Sequence, residues 1–351
     1  GDLYFNGELA PKHMGKAYEY FLKASQNGSG YGSYSCGFIL MKGSSDIPRD
    51  IEKGLSMFRL AVDQNYKAAT RDLARYYYSL ETEEDNRKAL DYYLQYIEYN
   101  PKDTDTLLHI GLIYESGLGV PLNIDLARRY YERAAEQDET GMAYNFLGGT
   151  YMNDEETESN ERKAVHYFQK AIELGNTNAM FRISYYLHNG KGGLQVDIPR
   201  EIELLTEASK RGNHQATYRL GLLFEDNESG MAQNLELSVK YFQLAADNGI
   251  LAAINKMGEL YLFGEVIPAN LTKAISCFTA ASEQGYGKAS YWLGRLHTDG
   301  IGQLEKDTQK AMNYYRKAIE QGYEEAREWM EQLQKKLLDQ TITDIEIPQD
   351  K

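Results

Sequence analysis

Residues 164–175 read Ala-Val-His-Tyr-Phe-Gln-Lys-Ala-Ile-Glu-Leu-Gly, and this stretch decides the fold. Its alanine, aromatic and alanine residues lie at i, i+4 and i+7, which places them on one face of a helix. The closing glycine suits the left-handed backbone conformation common at a helix C-terminus. With substitutions at one or two of these positions in some copies, the pattern ends at residues 28, 65, 100, 138, 175, 212, 249, 285 and 322. The sequence therefore predicts nine copies of one helix, here called helix B, at a period of about 37 residues.

A second pattern lies between the helix B segments and predicts a partner helix, here called helix A. Examples are Leu220-Gly221-Leu222-Leu223-Phe224 and Met257-Gly258-Glu259-Leu260-Tyr261. Glycine within a helix costs about 1 kcal/mol relative to alanine. A glycine that recurs at this register therefore indicates close backbone contact where helix A crosses helix B. The alternation of the two helices predicts an all-α solenoid of about nine two-helix repeats.

These motifs resemble the Sel-one-like repeat family, which is related to the tetratricopeptide repeats. The resemblance covers almost the whole chain. It implies a right-handed α-solenoid superhelix and a role as a scaffold or adaptor that binds other proteins.

The repeat pattern also predicts the domain organisation. Residues 1–323 form the tandem repeats, and the first repeat is truncated at its N-terminus because residues 1–4 match the middle of helix A. Residues 324–340 are predicted to form a C-terminal capping helix, followed by an acidic flexible tail over 341–351.

Composition narrows the range of functions. The chain has 38 basic and 52 acidic residues and a net charge of −14, which disfavours binding to nucleic acid. No apolar run approaches the roughly 20 residues of a membrane-spanning helix. We therefore expect protein partners, no nucleic acid and no membrane span in this sequence, whereas self-association into a homo-oligomer remains open.

The sequence provides no pattern for catalysis or for a cofactor. Cys36 and Cys277 lie far apart, and the six histidines have no metal-ligand spacing. His297 occupies an aromatic position of helix A, so we expect it to pack rather than to react. We predict no enzyme activity, no metal and no cofactor.

The variable positions of helix A predict where a partner binds. Positions are numbered from the first small residue of the motif, such as Ala216 or Ala253. A helical wheel with its core at positions 0, 4, 5, 7 and 8 places position 2 opposite the core and position 3 on its flank. In the later repeats these positions hold aromatic and basic residues, which predict a groove for a peptide with acidic and apolar residues. The alternative is that the aromatic rings pack against helices of the adjacent repeat. The candidate residues are Phe181, Arg182, Tyr218, Arg219, Lys256 and Tyr291.

Several more specific or alternative functions stay open at this point. Three Asn-x-Ser/Thr sequons, at Asn27, Asn227 and Asn270, permit a lumenal adaptor of a ubiquitin-ligase complex of the endoplasmic reticulum. The resemblance implies this possibility, because similar repeats form the adaptor of such ubiquitin-ligase complexes in eukaryotes. A self-assembling structural protein or a secreted host-interaction protein is the alternative. The sequence is compatible with a cytoplasmic, a lumenal or a secreted location.

Overall fold

The computed structural model describes residues 1–7, 12–154, 157–226, 233–301 and 305–346. Over these ranges the regular elements are nineteen α-helices and no strand. They are α1 (Asp2–Asn6), α2 (Met14–Gln26), α3 (Gly30–Lys42), α4 (Ile51–Asp63), α5 (Lys67–Tyr78), α6 (Glu83–Tyr99), α7 (Thr104–Ser116), α8 (Ile124–Ala135), α9 (Met142–Met152), α10 (Glu158–Glu173), α11 (Thr177–Asn189), α12 (Ile198–Lys210), α13 (His214–Glu225), α14 (Leu235–Asp247), α15 (Leu251–Phe263), α16 (Leu271–Glu283), α17 (Gly287–Asp299), α18 (Thr308–Glu320) and α19 (Ala326–Glu346).

The helices alternate as the sequence predicts. From α2 onward the even-numbered helices are helices B and the odd-numbered helices from α3 to α17 are helices A. Helix A packs against helix B of its own repeat, as α15 does with α16, and against the preceding helix B, as α15 does with α14. The prediction of an all-α solenoid of two-helix repeats is confirmed.

The chain divides into two compact units. The first comprises Gly1–Ala179 with Lys191–Gly193, and the second comprises Met180–Gly190 with Leu194–Lys351. Every candidate partner-binding residue lies in the second unit.

Local sequence explains where helix B begins and ends. An Asn, Asp or Thr side chain caps the N-terminus of eight helices B by accepting a hydrogen bond from the third residue beyond it, which satisfies a free backbone amide; the caps are Asp50, Thr82, Asn123, Thr157, Asp197, Asn234, Asn270 and Asp307. At the other end, Gly175 and Gly249 have φ values of 79° and 82°, and Asn65 has a φ of 61°. The predicted left-handed ends are confirmed there. Asn100 is an exception, with a φ of −128°.

The glycines of helix A lie against the aromatic rings of helix B. A β-carbon built on Gly111 would lie 2.3 Å from Cε1 of Tyr131, and one on Gly221 would lie 2.5 Å from Cδ1 of Phe242. Both rings are completely buried. This confirms the predicted close contact, because no side chain larger than hydrogen fits between the two helices.

The two ends of the described chain differ. At the N-terminal end, α1 packs on α2 through Tyr4, whose ring stacks on Tyr20 at 5.8 Å. At the C-terminal end, Ala326 and Leu333 of α19 are buried against α18. Helix α19 runs from Ala326 to Glu346, and residues 347–351 lie outside the described residues. The proposed cap and tail boundaries therefore stay a prediction.

Candidate functional site

Position 2 of helix A does not point away from the core, so the helical-wheel argument is wrong on this point. Leu108, Asn145 and Asn255 occupy it in three repeats and are only 6%, 6% and 2% exposed. In the other repeats the residue at position 2 is half-buried. The physical reason is that helix A lies between two helices B and therefore buries two faces rather than one.

The predicted aromatic residues take part in packing between helices. Tyr218 is half-buried with its ring centroid 5.7 Å from that of Phe242. Tyr291 is half-buried among aromatic rings of α18, α19 and the turn between them, and its ring lies 5.3 Å from that of Tyr323. Phe181 is also half-buried, on α11. These rings therefore contribute to the stability of the repeats whether or not they touch a partner.

Two of the predicted basic residues form ion pairs within the protein. Nη2 of Arg219 lies 3.1 Å from a carboxylate oxygen of Glu201. Nζ of Lys256 lies 2.8 Å from Oε1 of Glu225. Arg182 is half-buried on α11. Two of the three predicted basic residues, Arg219 and Lys256, are therefore paired with carboxylates of the second unit.

Glu201 is the most informative of these carboxylates. It stands at the helix B position that holds Ala164 and Ala274 in other repeats, and its side chain is completely buried. Besides Arg219, it contacts Nδ1 of His188 at 3.0 Å. The sequence contained a signal for this site, because a glutamate at a register of small residues needs a buried partner.

A second carboxylate, Glu259, connects two consecutive helices A. Its Oε1 accepts a hydrogen bond from Nε1 of Trp292 at 2.9 Å and lies 2.8 Å from Nζ of Lys288. It also accepts a hydrogen bond from Nδ2 of Asn255, one turn earlier on α15. The side chain of Glu259 is only 13% exposed. These contacts fix the orientation of α17 relative to α15.

A partly exposed stripe of helix A in the second unit runs through positions 3, 6 and 10. Tyr185 and Phe263 lie on it and are 41% and 57% exposed. The ring of Phe263 meets that of Trp292 edge-on at 5.6 Å. We call this stripe the helix A face; its residues are Arg182, Tyr185, Asn189, Arg219, Leu222, Lys256, Glu259, Phe263, Trp292, Arg295 and Asp299. Sequence reasoning found Arg182, Arg219 and Lys256 but missed the exposed rings.

Burial of Tyr218 predicts a measurable titration. Desolvation, with smaller effects from Tyr286, Glu259 and Glu225, raises the pKa of Tyr218 to about 12. The pKa of Tyr218 is therefore higher in the folded state than in the unfolded state. The contribution of the buried phenol to stability is complete below pH 10 and is lost as the pH rises toward 12. We expect a Tyr218→Phe variant to lose less stability between pH 10 and pH 12 than the wild type. Urea unfolding at a series of alkaline pH values measures this, and identical profiles would contradict it.

Within the described residues, no group of three or more His, Cys, Asp or Glu side chains is placed to hold a metal ion. Burial raises the pKa of both thiols, that of Cys36 to about 12, so neither is an activated nucleophile. His297 stacks on Tyr314 with ring centroids 5.6 Å apart, as predicted from its aromatic position. None of the helices, where they are described, is both long and apolar enough to cross a bilayer.

The sequons differ in context. Asn27 and Asn270 are exposed. Nδ2 of Asn27 donates to the carbonyl of Lys23, and Asn270 caps α16. Asn227 lies outside the described residues.

Comparison with known proteins identifies the repeat. The model of the Sel1 repeat matches residues 1–29, 31–66, 67–95, 106–139, 141–176, 177–213, 214–250, 251–286 and 287–323. The Sel1-repeat-containing protein YjcO of Escherichia coli is 33% identical over 78 residues, which are 22% of this chain and 34% of YjcO. Protein sel-1 homolog 2 of Rattus norvegicus is 40% identical over 70 residues, which are 20% of this chain and 10% of that protein. These matches therefore span about a third or less of those relatives.

Solved structures support the same fold. A Sel1 repeat protein from Oxalobacter formigenes superimposes with a TM-score of 0.67 at 24% identity, covering 90% of each chain. The protective antigen c5321 of uropathogenic Escherichia coli superimposes with a TM-score of 0.57 at 21% identity, covering 95% of this chain and 78% of that one. At these identities the likeness concerns the fold alone.

Proposed function

The chain belongs to the Sel1 repeat family, whose members are generally protein-interaction scaffolds, and we therefore propose that it is a non-enzymatic scaffold or adaptor. We place its partner on the helix A face of the second unit. The observation that carries this proposal is the pair of exposed rings, Tyr185 and Phe263, beside charged side chains held in position by ion pairs. Exposed aromatic residues on an ordered surface are typical anchors of protein interfaces.

The partner segment is proposed to carry apolar and acidic residues. Its apolar side chains would contact Tyr185 and Phe263, and its carboxylates would approach Arg182, Arg219 and Lys256. An arginine that already pairs with one carboxylate can bind a second, because its guanidinium has five N–H groups that donate hydrogen bonds. Arg219 uses Nε and Nη2 for Glu201 and keeps 28% of its side chain exposed. The three rings at position 2, Phe181, Tyr218 and Tyr291, would hold the helices that present this surface.

Partner capture with a double variant tests the proposal. We expect Tyr185→Ser with Phe263→Ser to lose the partner that the wild type retains from host lysate, because an anchoring aromatic residue often contributes 2 kcal/mol or more, roughly 30-fold in affinity. Quantitative mass spectrometry of the captured proteins is the measurement.

A matched control removes an exposed apolar residue elsewhere. Leu338→Ser on α19, where Leu338 is 62% exposed, should leave capture unchanged. Equal capture by wild type and double variant would refute the helix A face as the binding site. Recovery of the chain itself as the captured protein would favour the self-assembling alternative.

A further inference from the structure

A cleft on the helix B side of the second unit is distinct from the helix A face. It lies between α14 and the segment that leads into α16, and α15 forms its floor. Its volume is about 630 Å³, within the usual range for binding pockets. The lining residues are Val239, Lys240, Gln243, Leu244, Asp247, Met257, Tyr261, Ile267, Pro268, Ala269, Asn270 and Lys273.

The middle of the cleft is apolar and accessible. Met257 and Tyr261 form the floor, with Met257 only 2% exposed. Leu244 on one wall is 47% exposed, and Ile267 on the other is half-buried. An aliphatic side chain placed here would lose contact with water on several sides, which is favourable in proportion to the apolar area buried.

The charges of the cleft are not compensated as they are on the helix A face. Neither Lys240 nor Lys273 forms an ion pair with another residue that the structure describes; Nζ of Lys273 lies over the ring of Tyr261, 5.1 Å from its centroid. Lys256, by contrast, is held by Glu225. In a chain with a net charge of −14, two lysines without a carboxylate partner favour an acidic ligand group.

The polar groups of the walls suit a peptide rather than a purely apolar ligand. Nε2 of Gln243 donates to Asp247 at 2.7 Å, which leaves the amide oxygen of Gln243 free to accept. Oδ1 of Asn270 accepts the backbone N–H of Lys273 at 3.0 Å, which leaves the NH2 group of Asn270 free to donate. One acceptor and one donor on facing walls match the N–H and C=O groups of an extended backbone.

The length of the cleft sets the size of the segment. The charged residues Lys240 and Asp247 line the cleft seven residues apart on α14, and seven residues of helix rise by about 10 Å. An extended chain covers about 3.3 Å per residue, so this distance corresponds to about three residues. The acidic end of the ligand would face Lys240, and a basic group would face Asp247.

From these observations we infer that the cleft is a second protein-binding site, which takes an extended peptide with a central aliphatic residue and a carboxylate about three residues from a basic side chain. This goes beyond the proposed function, because it adds a site on helices B that is independent of the helix A face. A scaffold with two such sites could hold two partners at once.

Fluorescence anisotropy with three labelled peptides tests the inference. The probe is Gly-Glu-Leu-Val-Arg-Gly. The controls are Gly-Lys-Leu-Val-Lys-Gly, which lacks the carboxylate, and Gly-Glu-Ser-Ser-Arg-Gly, which lacks the aliphatic pair. We expect the wild-type chain to bind the probe at least about tenfold more tightly than either control.

Variants assign binding to the cleft. Lys240→Glu with Lys273→Glu should weaken probe binding by at least about tenfold, and so should Leu244→Lys, which changes only one exposed side chain. Lys163→Glu is the matched control, because Nζ of Lys163 lies over the Tyr151 ring at 5.0 Å in the same way but lies outside the cleft. Circular dichroism checks that every variant is folded.

Two results would overturn the inference: no preference of the wild type for the probe at concentrations up to about 1 mM, or equal binding by the cleft variants and Lys163→Glu. The outcome is separable from the proposed function. The Tyr185→Ser, Phe263→Ser variant should still bind the probe, even if it loses the partner of the helix A face.

Discussion

Replacing Arg219 by glutamate is expected to lower the free energy of unfolding of the second unit by about 3 kcal/mol, because it removes the partner of a completely buried carboxylate. Glu201 is completely buried, and its charge is balanced by Arg219 and approached by His188. The substitution would leave that carboxylate without its guanidinium and place a second negative charge beside it. Urea unfolding monitored by circular dichroism measures the loss.

A surface pair provides the control. Arg200→Glu breaks a contact with Glu203 in which both side chains are largely exposed, so it should cost at most about 1 kcal/mol. In a Glu201→Ala background, which restores the alanine of other repeats, Arg219→Glu should also become inexpensive. A similar loss for Arg200→Glu, or an unchanged cost in the Glu201→Ala background, would contradict the role assigned to this pair.

The same pair affects how partner binding can be tested. Charge reversal of Arg182, Arg219 and Lys256 together would combine a loss of binding with a loss of stability, because Arg219 neutralises a buried carboxylate. Substitution of the exposed Tyr185 and Phe263 is the cleaner experiment.

Replacing Gly221 by valine is expected to destabilise the second unit by about 2–4 kcal/mol, since it overpacks a tight helix crossing. A β-carbon at this position would lie 2.5 Å from both Cδ1 and Cε1 of Phe242, whose ring is completely buried. Either the ring or the two helices must therefore shift. Thermal and urea unfolding both report the change.

Gln215→Val is the matched control, since it introduces the same β-branched residue at an exposed position of the same helix. It should cost less than about 1 kcal/mol. Combining Gly221→Val with Phe242→Leu should cost less than the sum of the two single changes, because the smaller side chain makes room for the valine. Strict additivity would refute the steric explanation.

Much of the fold could be predicted from sequence because its determinants are local and repeated. The period of about 37 residues, the alternation of two helices and the glycines facing aromatic rings are all present as patterns in the sequence. Each pattern involves residues within one repeat, where helix geometry fixes which side chains share a face. Repetition makes such a signal clear even where a single repeat deviates, as at Asn100.

The candidate site could be predicted only in part. The positions of Arg182, Arg219 and Lys256 on the helix A face followed from their register, but Tyr185 and Phe263 did not, because they lie at positions that the wheel did not consider. The prediction that side chains at position 2 of helix A face the solvent is wrong. A helical wheel with one buried face cannot represent a helix that packs between two neighbouring helices.

The sequence by itself determined the repeat, its register and where most helices B end. Only the tertiary structure decided which carboxylate neutralises which base, which rings stay exposed and where the cleft between α14 and α16 opens. Lys288 and Glu259 are far apart along the chain, yet their charged atoms lie 2.8 Å apart. Such contacts depend on how consecutive repeats stack, and stacking is set by the shapes of all the side chains between them rather than by any local pattern.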